Sequence, residues 1–264
     1  MKSPYIQGLK QGFAEISVYS VDFLLGLIQS AAVVGFEIIL WTFVLPSDSH
    51  SALLERTSYF LIATGIALII GGARYRFGRE LILAIKEGTL SFHLLKPIIP
   101  LLYIYSEHLG GQATDLFTGA IFIFVGALWV PGFSWLTLSL FLLMLITAFI
   151  NTSALNIMCG SVAFWTTEAT GIRNVFNQVT RLLSGQQIPL NIFLEILPKF
   201  WSQFFCILPF ASVAYTPTML IMAKSTTDID YRFIISSLIW AIILPITANL
   251  IWKRGLRRYE GTGN

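Results

Sequence analysis

The chain has 264 residues, of which 55% are hydrophobic and only 12% charged, and its net charge is +3. Soluble domains carry roughly 25% charged residues. A mean hydropathy of +0.73 would leave large apolar patches facing water, so an ordinary water-soluble domain is excluded and lipid is the expected solvent. The basic residues sit in short stretches between apolar runs, which is the pattern of cytoplasmic loops and not of a nucleic-acid face; no nucleic-acid partner is expected.

Apolar sequence begins only near Val18 and continues too long for a cleavable signal peptide, so a cytoplasmic start followed by a first span is expected. A membrane span takes about 20 mostly apolar residues. The first candidate covers residues 22–45 and stops at Pro46-Ser47-Asp48. The second covers residues 52–73.

A cytoplasmic loop, residues 74–107, follows. It opens with Arg74-Tyr75-Arg76-Phe77-Gly78-Arg79-Glu80 and places Phe77, Leu81, Ile82 and Ile85 at helical spacing before a stop at Glu87-Gly88. Two readings fit these residues: a basic amphipathic helix resting on anionic lipid, or a helix docked in a groove on a partner. The third span covers residues 109–130 and ends at Pro131-Gly132; the fourth, 133–165, is long enough to tilt or to project beyond the bilayer.

The fifth candidate, residues 170–188, has two faces. Ile172, Val175, Phe176, Val179, Leu182 and Leu183 fall on one. Arg173, Asn177, Arg181 and Ser184 line the other, about four residues apart. Lipid does not solvate such a line, so it meets protein or water. It is a candidate translocation path; the other reading is a polar helix contact within one subunit.

Residues 189–222 are apolar but broken by Pro189, Pro198, Pro209 and Pro217. Two short helices that dip into the outer leaflet and return fit this pattern, because broken backbone survives at membrane depth only against protein or water. The sixth span covers residues 233–252. With the N-terminus inside, six spans put Lys2, Lys10, Arg74, Arg76, Arg79, Lys86, Lys96, Arg173, Lys253, Arg254, Arg257 and Arg258 in the cytoplasm. Only Arg56, Lys199, Lys224 and Arg232 then lie outside. This bias places both termini in the cytoplasm.

The expected fold is an all-α integral membrane protein: a single transmembrane domain over residues 1–264 with six transmembrane helices. No GxxxxGK[ST], GxSxG or HExxH sequence occurs, and no Cys/His set has metal-ligand spacing. The chain is therefore expected not to be an enzyme and to hold no metal or cofactor. Cys159 and Cys206 lie in apolar sequence and read as buried free thiols. Of the ionisable residues near apolar sequence (Asp22, Glu37, Asp115, Glu168 and Arg181), Glu37 lies deepest. It either pairs with Arg181 or faces the substrate path. An ion-coupled secondary transporter is the rival class, although no internal repeat of the kind such folds show is visible.

The segment Glu87-Gly88-Thr89-Leu90-Ser91-Phe92-His93-Leu94-Leu95-Lys96-Pro97 resembles the EG-x-L-x-x-x-LL-x-P signature of ABC-2 type permeases, in the branch of six-span bacterial subunits of about this length. Phe164-Trp165, Leu183-Ser184-Gly185 through Pro189-Leu190, Leu208-Pro209-Phe210 with Tyr215-Thr216-Pro217, and Gly255-Leu256 with Tyr259 and Gly263 are similar to further elements of that branch, in the same order. The resemblance implies a membrane permease of an ABC exporter in the bacterial cytoplasmic (inner) membrane. It implies a second permease half, identical or homologous, and two copies of a separate ATP-binding subunit that hold the ATP and Mg. It places the ATPase-coupling helix in the 74–107 loop, at Arg79, Glu87, Gly88, Leu90, Leu94, Leu95 and Pro97, and makes residues 189–222 a re-entrant external hairpin. The transported substrate is not legible.

Overall fold

The structure is a computed structural model, and it describes residues 6–7, 20–44, 49–110, 112–130, 134–190, 192, 197–223 and 228–259. Lys2, Lys10, Lys224, the stops at 46–48 and 131–133, and the end of the tail motif lie outside the described residues, as do the side chains of Asp22, Arg74, Arg76 and Lys199.

Regular structure among the described residues is entirely helical. In chain order it comprises α1 (Ser20–Val44), α2 (His50–Lys86), α3 (Leu90–Leu94), α4 (Pro100–Gly110), α5 (Ala113–Ala127) and α6 (Trp135–Ser161). Then come a 3-10 turn (Val162–Phe164), α7 (Ala169–Leu183), α8 (Lys199–Ile207), a second 3-10 turn (Pro209–Ser212), α9 (Tyr215–Met222) and α10 (Tyr231–Leu256).

Four stretches are long and apolar enough to cross a membrane: Leu24–Val44, His50–Gly71, Trp135–Phe164 and Tyr231–Leu256. They coincide with the expected first, second, fourth and sixth spans. The other two expected spans differ. The third, 109–130, is divided, because α4 ends at Gly110 and α5 begins at Ala113. Glycine is a poor helix former, and two adjoin at this break. With 15 residues, α5 is about 22 Å long, short of the ~30 Å hydrocarbon core. The expected fifth span, 170–188, is α7, also of 15 residues, and its polar line keeps it below the apolarity of a crossing helix. The loop expected over 74–107 also differs. Helix α2 runs unbroken to Lys86 and α4 begins at Pro100, so only residues 87–99 connect them, with α3 inside. The proline-rich stretch does form short helices, α8 and α9. Pro198 caps α8, Pro209 opens the second 3-10 turn and Pro217 sits in the first turn of α9.

Side-chain caps start the long helices α2 and α6. The Ser49 side chain accepts from the Ala52 N–H at the head of α2, and Ser134 and Thr137 form a capping box at the head of α6. Helices α2 and α5 touch backbone to backbone. A Cβ on Gly119 would stand 2.5 Å from the Gly65 carbonyl oxygen, and one on Gly65 would stand 2.6 Å from the Gly119 carbonyl oxygen. Only glycine permits that approach. Ile62, Ile66 and Ile70 of α2 then pack with Ala148 of α6 and Ile221 of α9. At the centre, the fully buried Asn151 of α6 donates to Ser212 Oγ (3.2 Å) and to the Ser237 carbonyl (3.2 Å), joining the second 3-10 turn and α10. These contacts make α2, α5, α6 and α10 the frame on which the candidate sites are mounted.

Candidate functional site

Two clusters of functional character lie on this frame. The first is at the end of α2. Gly88 adopts φ of 76°, a left-handed conformation that glycine enters without steric cost, and the chain turns there into α3. Leu90 is fully buried against Phe77, Leu81, Ile85, Ile104, Phe164 and Trp252. The rest of the segment faces outward: Phe92 is 66% and Leu95 84% exposed, and Glu87, Leu94, Pro97 and Ile99 are exposed with them. Lys86 Nζ donates to the Thr167 carbonyl and fastens the end of α2 to the head of α7.

His93 stacks obliquely near Tyr103, with ring centroids 5.4 Å apart, and its Nδ1 has no hydrogen-bond partner. Partial burial, helped by Lys96, holds its imidazole below the ordinary pKa. Arg79 is not part of this cluster. It is exposed on α2 about two turns earlier, where its charge acts on Arg173 of α7. Of the residues the sequence singled out, Glu87, Gly88, Leu90, Leu94, Leu95 and Pro97 come together and Arg79 stands apart.

The second cluster surrounds α7. Ile172, Val175, Val179 and Leu182 are exposed, whereas Asn177, Thr180 and Ser184 are buried. The line Arg173, Asn177, Arg181, Ser184 therefore faces the chain's own bundle, with the two arginines half-buried at its edge. Arg173 lies over Gly78 of α2 and beside Asn156 of α6, since a Cβ on Gly78 would meet both side chains. At the far end, Glu37 of α1 is 6% exposed and Arg181 is the cation that acts on its carboxyl.

A collar of hydrogen bonds holds the turn after α7. Tyr59 Oη donates to the Gly185 carbonyl (2.6 Å) and Trp41 Nε1 to the Gln187 carbonyl (2.9 Å). The Tyr215 N–H donates to the Ser184 carbonyl (2.9 Å). Gly185 has φ of 81°, and any Cβ there would press on Tyr215 and Tyr59. Pro189 is buried just beyond this collar. Sequence reasoning did not find the part played by Trp41 or Tyr59, because an aromatic residue in an apolar run gives no sign of which carbonyl its polar tip will reach; Tyr215, which lies in a motif the sequence singled out, joins through its backbone N–H.

Among the described residues no group of three His, Cys, Asp or Glu side chains could hold a metal ion. Cys159 and Cys206 are free and buried.

An all-helical chain with four apolar helices of crossing length, buried polar joints and an apolar segment raised at one helix end is a multi-pass membrane protein. The family model described as ABC-2 family transporter protein matches residues 51–263. The chain belongs to that family: it is a permease subunit of an ABC transporter, a membrane transport component and not itself catalytic, and the family implies an ABC ATP-binding partner. Comparison with curated proteins returned no match.

Proposed function

We propose that this chain is one half of an ABC exporter, and that residues 87–97 dock on a separate ATP-binding subunit which holds the ATP and Mg. One observation carries the reading. The short α3 buries Leu90 and turns Phe92, Leu94 and Leu95 outward at the end of a 37-residue helix. At about 1.5 Å per residue, α2 is ~55 Å long against a hydrocarbon core of ~30 Å. An apolar cluster beyond the crossing segment calls for a protein cover.

Each permease half binds one ATPase subunit. ATP closes the ATPase pair and carries the 87–97 segment with it, which rocks the membrane halves and changes access to the path between them. Nucleotide must bind the two global states unequally for this to do work. The outward direction, the bacterial inner membrane and the cytoplasmic placement of both termini rest on the family resemblance and the distribution of basic residues. Helices α8 and α9 form the external hairpin, entering the outer leaflet and returning. The second permease half, identical or homologous, meets α1 and α7, where Gly26, Gly35 and Gly171 face open space and allow another backbone to approach.

The path is placed along α7, with Arg173 and Arg181 at its edge and Asn177 and Ser184 behind them. A second reading is favoured by the burial of Asn177 and Ser184: the polar line joins α7 to its own bundle. Arg181→Ala with normal ATPase association and lost transport supports the path; unchanged transport in Arg181→Ala and Asn177→Ala supports the joint.

The test of the whole reading is purification of the tagged chain from membranes. An ATP-binding subunit is expected to accompany the parent chain and to be lost from Leu95→Asp. Vanadate-sensitive transport separates this reading from an ion-coupled secondary transporter. A parent chain that purifies without any ATPase, or that transports on an ion gradient alone, refutes it.

A further inference from the structure

At five residues, α3 is too short to hold its own conformation, so its contacts fix its place. Of its side chains, Leu90 is buried, and Ser91 Oγ lies 3.2 Å from the Tyr259 hydroxyl, 168 residues away in sequence. The C-terminal turn thus supplies the one side-chain hydrogen bond described between α3 and the end of the last span.

Tyr259 is itself held firmly. Its ring meets Phe164 edge-on at 5.9 Å, and Phe164 meets Trp252 at 5.4 Å. Turn bonds from the Arg258 and Tyr259 N–H groups to the Gly255 and Leu256 carbonyls fold the chain back beneath α10. Gly255 has no room for a Cβ, which would run into the Phe164 ring. The ends of α2, α6 and α10 and the short α3 therefore meet in one aromatic box. At its other end α10 grips the hairpin, where Ser236 Oγ (2.9 Å) and Trp240 Nε1 (2.5 Å) both donate to the Ile207 carbonyl that closes α8.

We propose that Tyr259 is a positioning residue that ties α3 to the last span through Ser91, so that a displacement of α3 is delivered along α10 to Ile207 and the hairpin. This rests on the docking of α3 to an ATPase. It adds a second route beside the covalent one through Gly88 into α2, and it assigns the C-terminal turn a part in coupling. Two elements packed on one box move together if the bond between them outlasts the displacement.

The experiment uses the full chain with its co-purified ATPase in nanodiscs, with Cys159 and Cys206 replaced by Ser and a single reporter, Gln203→Cys, on α8. The rate of labelling by a membrane-impermeant maleimide is measured with and without ATP plus vanadate. In the parent complex nucleotide is expected to change the rate. In Tyr259→Phe, which keeps the ring, and in Ser91→Ala, that change is expected to shrink by about fivefold, the weight of one hydrogen bond. The double variant is expected to lose no more than either single, and ATPase co-purification is expected to be undiminished in Tyr259→Phe, which lies outside the docking segment. An undiminished nucleotide response in Tyr259→Phe, or a matching loss of the ATPase from it, overturns the assignment. A parent chain that brings down no ATPase overturns the docking reading instead, and the assignment with it.

Discussion

Helices α1 and α2 both have the length and apolarity to cross a membrane, yet they are built into the protein in opposite ways. Within the crossing stretch of α2, 56% of residues are buried, against 11% for α1. In α2, Gly65 meets Gly119 of α5 at backbone distance. In α1, Gly26 and Gly35 meet nothing within 4 Å, and Phe43 is 82% exposed. Lipid tails are as apolar as leucine, so greasy surface alone does not draw helices together, and small residues and polar contacts do. By this rule α2 is joined along its length. Helix α1 is fastened at a few points near Val34, Glu37 and Trp41, which leaves the rest of its surface uncovered by this chain.

The largest expected effect tests the joined pair. Gly119→Leu forces a side chain into the Gly65 carbonyl and is expected to destabilise the chain by about 3 kcal/mol or more. The matching change on α1, Gly35→Leu, is expected to stay within about 0.5 kcal/mol while weakening association with a second permease half. Thermal unfolding in detergent and crosslinked-dimer yield read the two effects separately. Equal destabilisation by both substitutions would erase the contrast.

Next in size is the electrostatic attraction between Glu37 on α1 and Arg181 near the end of α7. Glu37→Gln and Arg181→Gln, singly and together, form a double-mutant cycle whose coupling energy is expected at about 1–2 kcal/mol. Additive effects would detach the two groups. Trp41→Phe, which removes only the indole donor to the Gln187 carbonyl, is expected to cost about 1 kcal/mol and to raise proteolysis of α1 without affecting α2.

The smallest effect is on α3. The His93 imidazole sits below its ordinary pKa because burial penalises its charged form. When α3 opens, His93 takes a proton more readily than when α3 is closed. The closed form therefore keeps its full stability above the ordinary histidine pKa and loses it as pH falls through about 6.5. Amide protection factors across α3, with the intrinsic pH dependence of exchange divided out, are expected to fall modestly from about pH 7.5 to about pH 5.5, and His93→Gln is expected to remove that fall. Protection factors that ignore pH in the parent would show that the closed segment accommodates the charge.

Much of this architecture is written locally. The crossing helices announce themselves as runs of about 20 apolar residues, and the EG-x-L-x-x-x-LL-x-P segment marks the turn at Gly88 and the raised leucines. The line Arg173, Asn177, Arg181, Ser184 is correctly placed on one helix face by its period. Period does not say what that face meets, and here burial turns it toward α2 and α6. The break in the third span falls at two adjoining glycines, a signal outweighed in the sequence by the apolar residues that follow, and the unbroken run of α2 into the expected loop has no comparable local sign. Tyr259 reaching Ser91 and Trp240 reaching Ile207 are non-local pairs that no window of sequence contains.

The uninterrupted run of α2 has one more consequence. In the proposed docking reading, its surplus beyond the hydrocarbon, about 25 Å by the same helical rise, acts as a stilt that lifts the Phe92–Leu95 surface clear of the headgroups. A bilayer some ångströms thicker would submerge part of the stilt before it wetted that surface with lipid. Changing acyl length is therefore expected to alter the tilt of the crossing helices while leaving the height of the raised leucines above the membrane nearly free of lipid interference.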